Sequence, residues 1–278
     1  MDLNWYQSIL YGLISGLTDI LPVCAQAHEM LLLKIFGVRE SAPLMRLFIH
    51  LSVLGALYYH CMPHITKMLR AKSLSRIPKR KRKRPLDTKS LMDFSLWKTM
   101  AIPVILVFLL YRKVAVLRSS LSVMAIFLFV NGVILYVPQF LPGCNKDSRS
   151  LSRVEGLLMG LGGAASILPG ISAVGASVSV GSVCGVERKF CLNMALLMNM
   201  IVMAALIVHD VMDLVSKGIG YFSIGVLVCN LLAAAAAFLG TSLGIRYMRR
   251  LAAEKGYAIF AYYCWGIALF TFILNLMA

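Results

Sequence analysis

Three ionisable residues lie close together around a proline in an otherwise apolar segment. They are Asp19, His28 and Glu29, and the proline is Pro22. Ionisable groups at membrane depth are costly and usually functional. An imidazole can act as base or nucleophile near neutral pH, and a nearby carboxylate can orient it or bind a divalent cation. We therefore predict a catalytic pair, Asp19 and His28, with Asp19 and Glu29 as metal ligands; alternatively, Asp19 caps a short helix and His28 lies at an interface.

A second apolar segment combines small residues and hydroxyls around Pro169. Gly170, Ser172, Gly175 and Ser177 follow this proline. Small residues let the free N–H groups of a helix N-terminus approach an anion. They also let membrane helices pack closely. Both interpretations stay open, and the first of them predicts an anion-binding surface.

The two proline segments resemble each other and are predicted to form an internal repeat. The sequence Ile-Leu-Pro occurs around both prolines, at an offset of 147 residues. A proline in mid-helix breaks the helix, so residues 9–35 and 156–185 are each expected to form two short helices. If each unit is a re-entrant hairpin followed by three spans, the halves are inverted repeats whose site lies at the midplane. Alternatively, both prolines kink ordinary spanning helices.

Composition places this chain in a membrane. Its 278 residues are 59% hydrophobic, with a mean hydropathy of +0.79. Apolar stretches near the roughly 20 residues of a spanning helix recur along it. The predicted spans are residues 43–61, 98–111, 121–141, 192–208, 221–243 and 257–276. The fold class is therefore an all-α polytopic membrane protein with about six transmembrane helices and two re-entrant helix-loop-helix hairpins.

The ends of the chain and its cysteines add two expectations. Residues 1–8 lack a basic region and no cleavage site follows, so the spans themselves are expected to direct the chain to the membrane. The seven cysteines show no CxxC spacing, which favours packing thiols over a metal or disulfide framework.

The positive charge predicts the orientation of the chain. Of 28 lysines and arginines, twelve lie between Lys67 and Lys98. The positive-inside rule places this loop, residues 64–98, in the cytoplasm. Alternation then gives a multi-pass protein of the bacterial cytoplasmic membrane with both termini outside. The single membrane domain, residues 1–278, has halves at 1–141 and 154–278. The loop is expected to contact anionic lipid headgroups rather than nucleic acid.

Both proline segments resemble signatures of one family, the undecaprenyl-diphosphate phosphatases or bacitracin-resistance proteins. Residues 15–28 match the frame EGxTEFLPVSSTGH without a gap, and residues 169–177 match PGxSRSGAT. The similarity covers nearly the whole chain. It implies hydrolysis of a polyprenyl diphosphate, the lipid carrier of peptidoglycan synthesis, to the monophosphate with a divalent cation, Mg²⁺ or Ca²⁺. A homodimer is left open.

The resemblance also implies roles for individual residues. Asp19 would orient or bind metal, His28 would act as base or nucleophile, and Ser172 with the N–H groups near Gly170 would hold phosphate. The expected substrate-binding residues are Thr18, Gly170, Gly175, Ser177 and Arg188.

Departures from the family pattern fall on the chemistry. Ser15 and Asp19 replace two glutamates, Cys24 and Ala25 replace two serines, and Ala173 replaces an arginine. Losing a cation that grips the transferring phosphoryl group can cost roughly 10³–10⁵ in rate. A non-hydrolytic polyprenyl-phosphate translocase or binding protein on the same fold is therefore the alternative function. A weaker third is an ion transporter using Asp19 and His28 as a proton relay.

Overall fold

The computed structural model describes residues 3–38, 40–82, 84–114, 117, 120–141, 145–218, 223–254 and 257–276. These residues form an all-α protein, which confirms the predicted fold class. Its helices are α1 Trp5–Ile20, α2 Ala25–Ile35, α3 Pro43–Ser75, α4 Thr88–Phe108, α5 Tyr111–Val114, α6 Leu121–Tyr136, α7 Arg153–Ala164, α8 Ala173–Val183, α9 Arg188–Lys217, α10 Ile224–Glu254 and α11 Ile259–Leu276. Short 3₁₀ turns occupy Lys79–Lys81, Val137–Phe140 and Ala165–Ile167.

Six helices in the described part of the chain are long and apolar enough to cross a membrane. They are α3, α4, α6 with its following 3₁₀ turn, α9, α10 and α11. The six predicted spans are thereby confirmed as helices, although the predicted start of the fifth, at Tyr221, lies outside the described residues. In the most apolar stretch of α9, 61% of residues are buried in protein, against 28–33% in the other five. Helix α9 is therefore central, and the others present more of their surface outward.

Much of the predicted basic loop is helical. Helix α3 continues to Ser75 and α4 begins at Thr88, so both helices extend into residues 64–98. Lysine and arginine are good helix formers, and the basic residues therefore extend the ends of both helices rather than interrupting them. The position of residues 64–98 in the cytoplasm stays a prediction.

Both prolines break their helices as predicted. Helix α1 ends before Pro22 and α2 begins after it. Helix α7, with its 3₁₀ extension, ends before Pro169, and α8 begins after it. Ser172 caps α8 by accepting a hydrogen bond from the N–H of Gly175 over 3.2 Å. Each segment is therefore two helices joined by a turn.

Each broken helix packs on a spanning helix of the other half. A Cβ added to Gly12 or Gly16 on α1 would collide with the backbone of α10 at Ala233 or Ala237. Gly160 on α7 makes the equivalent close approach to α4. Helices α3 and α9 pack together between these pairs, and α6 packs on α11. This reciprocal pattern is what two related halves would produce; that each helix pair enters and leaves the membrane on one side stays a prediction.

Candidate functional site

The two proline turns meet directly. The hydroxyl of Ser172 donates to the carbonyl oxygen of Leu21 over 3.3 Å, and Gly175 packs against the ring of Pro22. Asn131 of α6 bridges the same turns. Its amide nitrogen donates to the carbonyl of Pro22 over 3.0 Å, and its amide oxygen accepts from the N–H of Ser172 over 3.0 Å. The predicted contact between the turns is therefore present, and it depends on a buried amide that the sequence analysis had not singled out.

A cavity of about 680 Å³ lies beside the joined turns. It is bounded by α2, the first half of α3, the last half of α9 and the turn before α8. Its size suits a small polar headgroup. Among the described residues, the charged groups that line it are five carboxylates and three cations: Asp19, Glu29, Glu40, Asp210, Asp213, Lys34, Arg46 and Lys217. The excess of carboxylates means that a phosphate ligand needs additional positive charge there.

Asp19 and Ser172, from the two different proline segments, both line this cavity. Asp19, near the end of α1, is partly exposed and accepts a hydrogen bond from the amide of Asn199 over 2.8 Å. Ser15, one turn earlier, also lines the cavity, and its buried hydroxyl has no hydrogen-bond partner among the described residues. On the other turn, Ser172 and Ala173 line the cavity. Ser15 and Ala173, which stand where the family pattern has a glutamate and an arginine, therefore line the same cavity.

A network of charged residues from α3 and α9 forms another wall. The Nε of Arg46 lies 3.4 Å from Asp210, and its Nη2 lies 3.0 Å from Asp213. The Nδ1 of His50 donates to the other oxygen of Asp210 over 2.5 Å. Arg46 and His50 are one turn apart, as are the two aspartates, so the pairs match in spacing. The network holds a histidine in a fixed orientation against the cavity.

Sequence reasoning missed this network, although a signal for it was available. His50 lies inside a predicted span, and Asp210 lies just beyond another. Ionisable residues in spans are functional candidates by default, and His50 meets this criterion as well as the residues around Pro22 do.

His28 lies outside the cavity. One ring nitrogen bonds the carbonyl oxygen of Cys24 and the other bonds the hydroxyl of Tyr263, both over 2.8 Å. The ring also stacks on Tyr263 at a centroid distance of 5.7 Å. The α2 residues that line the cavity lie along one side of the helix: Ala25, Gln26, Glu29, Met30, Leu33 and Lys34. His28 falls on the opposite side of the helix, so the structure does not unite it with Asp19 as predicted.

The remaining predicted residues lie away from the cavity. Thr18 is buried and donates to its own helix backbone over 2.6 Å. Gly170 supplies the turn with a φ of +111° and packs against α6. Ser177 is fully buried within α8. Arg188 begins α9 and Asp210 lies near its other end, about 33 Å away along the axis, so Arg188 does not line this cavity. Its role in binding the substrate phosphate stays a prediction. Gly175 contributes by packing on the first turn.

The predicted metal ligands, Asp19 and Glu29, both line the cavity. In the part of the chain that the structure describes, no cluster of three or more histidine, cysteine or carboxylate side chains could hold a metal ion. Magnesium commonly uses only one or two carboxylates and completes its shell with water and substrate phosphate. The donor set therefore fits an ion that arrives with a phosphate ligand rather than a closed protein site.

Comparison with known proteins gives one consistent result. A family model described as Bacitracin resistance protein BacA matches residues 8–270. The chain is similar to the undecaprenyl-diphosphatase of Methanobrevibacter smithii, with 29% identity and 96% of both chains covered. It is also similar to that of Desulforapulum autotrophicum, with 25% identity over 98% of this chain and 99% of the relative. A third, from Halothermothrix orenii, is 22% identical over 97% of both.

Proposed function

The chain belongs to the bacitracin resistance protein BacA family, and from this premise we propose that it hydrolyses a polyprenyl diphosphate to the monophosphate. The name shared by its relatives supports undecaprenyl diphosphate as the substrate. Water adds its oxygen to the terminal phosphorus while the bond to the bridging oxygen breaks. The products are lipid monophosphate, available again as a carrier for cell-wall synthesis, and inorganic phosphate. The observation that carries the proposal is the charged cavity beside the joined proline turns.

His50 is the residue best placed to accept the proton of the attacking water. Its Nδ1–H is committed to Asp210, and no described residue bonds its Nε2. A carboxylate at one ring nitrogen fixes the tautomer and leaves the other nitrogen basic. A positioned base of this kind contributes about 10²–10⁴ to a rate. In our proposal His50 therefore takes the role that the sequence analysis gave to His28.

Several groups would supply the positive charge that balances the diphosphate. Ala173 supplies none, and Arg46 is already paired with two aspartates. We propose that Asp19 and Glu29 hold a divalent cation, Mg²⁺ or Ca²⁺, together with the diphosphate. When bound, the cation neutralises charge on the phosphate oxygens. Lys34 at the cavity wall adds positive charge, whereas Lys217 is paired with Asp213 at 3.8 Å. The hydroxyl of Ser172 lies beside the same space.

The direction of the cavity follows from the charge along α3. Arg46 lies at the cavity end of this helix, and Lys67 lies about 31 Å further along the axis. With the basic end in the cytoplasm, the cavity opens at the outer face of the cytoplasmic membrane. We propose this orientation, with both termini outside and the exposed segment Lys79–Lys81 against anionic headgroups. Assembly as a homodimer stays a prediction.

The test is phosphate release from undecaprenyl diphosphate by purified protein with Mg²⁺ or Ca²⁺. The control is the double variant Asp19→Asn, His50→Asn, which replaces the carboxylate and the base with neutral amides. We expect release by the natural chain well above that of the control. Release no greater than in a protein-free blank would end the hydrolase proposal, and equal release by both proteins above that blank would remove Asp19 and His50 from the mechanism.

A further inference from the structure

A second cavity, of about 460 Å³, lies toward the other end of α3 and α9. Its polar lining comes from three helices: His60, His64 and Lys67 from α3, Lys189 from α9 and Arg249 from α10. No carboxylate is among the described residues that line it. His60 lies about 21 Å along α3 from Arg46, so this cavity is separate from the first one.

The cations of this second cavity are not neutralised by carboxylates. None of the ion pairs among the described residues includes Lys67, Lys189 or Arg249. Arg249 donates through Nη2 to the carbonyl oxygen of His60 over 3.1 Å, which fixes one edge of its guanidinium. Three positively charged side chains therefore line this cavity, and none of them is in an ion pair with a described carboxylate.

Both imidazoles that line the cavity have a buried Nε2 that makes no hydrogen bond to a described residue. The Nε2 of His64 lies 3.3 Å from the carboxylate of Asp93, which pairs with it when the ring is protonated. The three cations that line the cavity are therefore the groups available to an anionic ligand.

We propose that this second cavity binds a phosphate group, carried either by an anionic lipid headgroup or by free inorganic phosphate. Phosphate oxygens suit the combination of a guanidinium and two ammonium groups, because each oxygen accepts charge-assisted hydrogen bonds. The basic end of α3 lies at the predicted cytoplasmic interface, where phosphate-bearing headgroups and cytosolic phosphate both reach it. Binding here does not require hydrolysis in the first cavity, so the two proposals fail independently.

The experiment compares two triple variants that each remove three positive charges. The first is Lys67→Gln, Lys189→Gln, Arg249→Gln in the cavity. The matched control is Lys79→Gln, Arg80→Gln, Lys81→Gln on the exposed 3₁₀ turn. Binding of radiolabelled inorganic phosphate to detergent-purified protein forms one arm. Retention of phosphatidylglycerol against phosphatidylcholine, by native mass spectrometry from mixed vesicles, forms the other.

We expect the cavity triple to lose roughly tenfold or more in affinity in at least one arm, while the control stays near the natural chain. Loss in the phosphate arm alone identifies free phosphate, and loss in the lipid arm alone identifies a headgroup. Equal loss in both triples, or no binding by the natural chain in either arm, overturns the proposal. The single variant Lys189→Gln, with an intermediate loss and an unchanged thermal unfolding midpoint, separates binding from misfolding.

Discussion

Ser172 donates its hydroxyl to the carbonyl oxygen of Leu21 over 3.3 Å, and so residues 151 positions apart join the two proline turns. The bond fixes the floor of the first cavity, since Ser172 also lines that cavity. Asn131 reinforces the contact from α6. The cavity therefore depends on the relative position of the two turns, and that position can be tested by mutation.

Replacing Asn131 with leucine should destabilise the protein. The change leaves the buried N–H of Ser172 without its acceptor, which costs about 1–3 kcal/mol, while the carbonyl of Pro22 keeps only the weak thiol donor of Cys264. Asn230 provides a matched control, because it is equally buried and its amide has no partner among the described residues. Thermal unfolding in detergent should show a lower midpoint for Asn131→Leu and no decrease for Asn230→Leu. Equal decreases would argue against the bridge.

His50→Asn and Asp210→Asn should both reduce phosphate release. Loss of the base or of its orienting carboxylate should lower kcat by about 10²-fold or more, with a smaller effect on KM. His28→Gln is the comparison, since His28 lies outside the cavity and contacts Tyr263. We expect its effect on kcat to be smaller than that of His50→Asn. The reverse order would return the catalytic role to His28.

Asp19→Asn and Glu29→Gln should raise the concentration of Mg²⁺ or Ca²⁺ needed for half-maximal release. Losing one carboxylate from a site with only two should shift that concentration about tenfold or more. Asp147→Asn serves as the control, because Asp147 pairs with Lys89 outside the cavity. An unchanged metal dependence in both cavity variants would exclude these carboxylates as ligands.

Restoring the family's charged residues should increase hydrolysis. Ser15 and Ala173 both line the first cavity, so Ser15→Glu with Ala173→Arg places a carboxylate and a guanidinium beside the bound phosphate. We expect a gain in kcat/KM of about tenfold or more, part of the roughly 10³–10⁵ that such a cation contributes in a fully adapted site. Ser15→Gln with Ala173→Met matches the added volume without charge. A gain in the uncharged variant as well would attribute the effect to packing.

Gly16→Leu should weaken the contact between α1 and α10. A side chain there meets the backbone at Ala237, and overpacking typically costs about 1–3 kcal/mol. Gly55 on α3 has open space around it, so Gly55→Ala should be neutral or slightly stabilising. Unfolding midpoints and the yield of folded protein measure both. A tolerated leucine at Gly16 would show that the close approach is unnecessary.

The architecture was largely predictable because its signals are local. Runs of apolar residues predict the spans, and Pro22 and Pro169 break their helices wherever they occur. The matched flanks of the two prolines also indicated that the turns would meet. The ends of α3 were less predictable, because lysine and arginine suit a helix as well as a loop.

The candidate site was predictable only in part. Asp19, Glu29 and Ser172 reach the first cavity because they flank the breaks. His28 does not, because it lies on the opposite side of α2. Its distance from Asp19 along the sequence does not predict which side of the helix it occupies. The bond between His50 and Asp210 joins residues 160 positions apart, a pairing that a single sequence does not encode locally.

The reciprocal packing of the broken helices bears on how the chain is assembled during synthesis. Helix α1 rests on α10, which the ribosome makes about 220 residues later. The glycine-lined surface of α1 therefore stays without its packing partner until α10 has been synthesised. Helix α7, by contrast, finds α4 already in place when it is made. Biogenesis is asymmetric even though the finished contacts mirror each other.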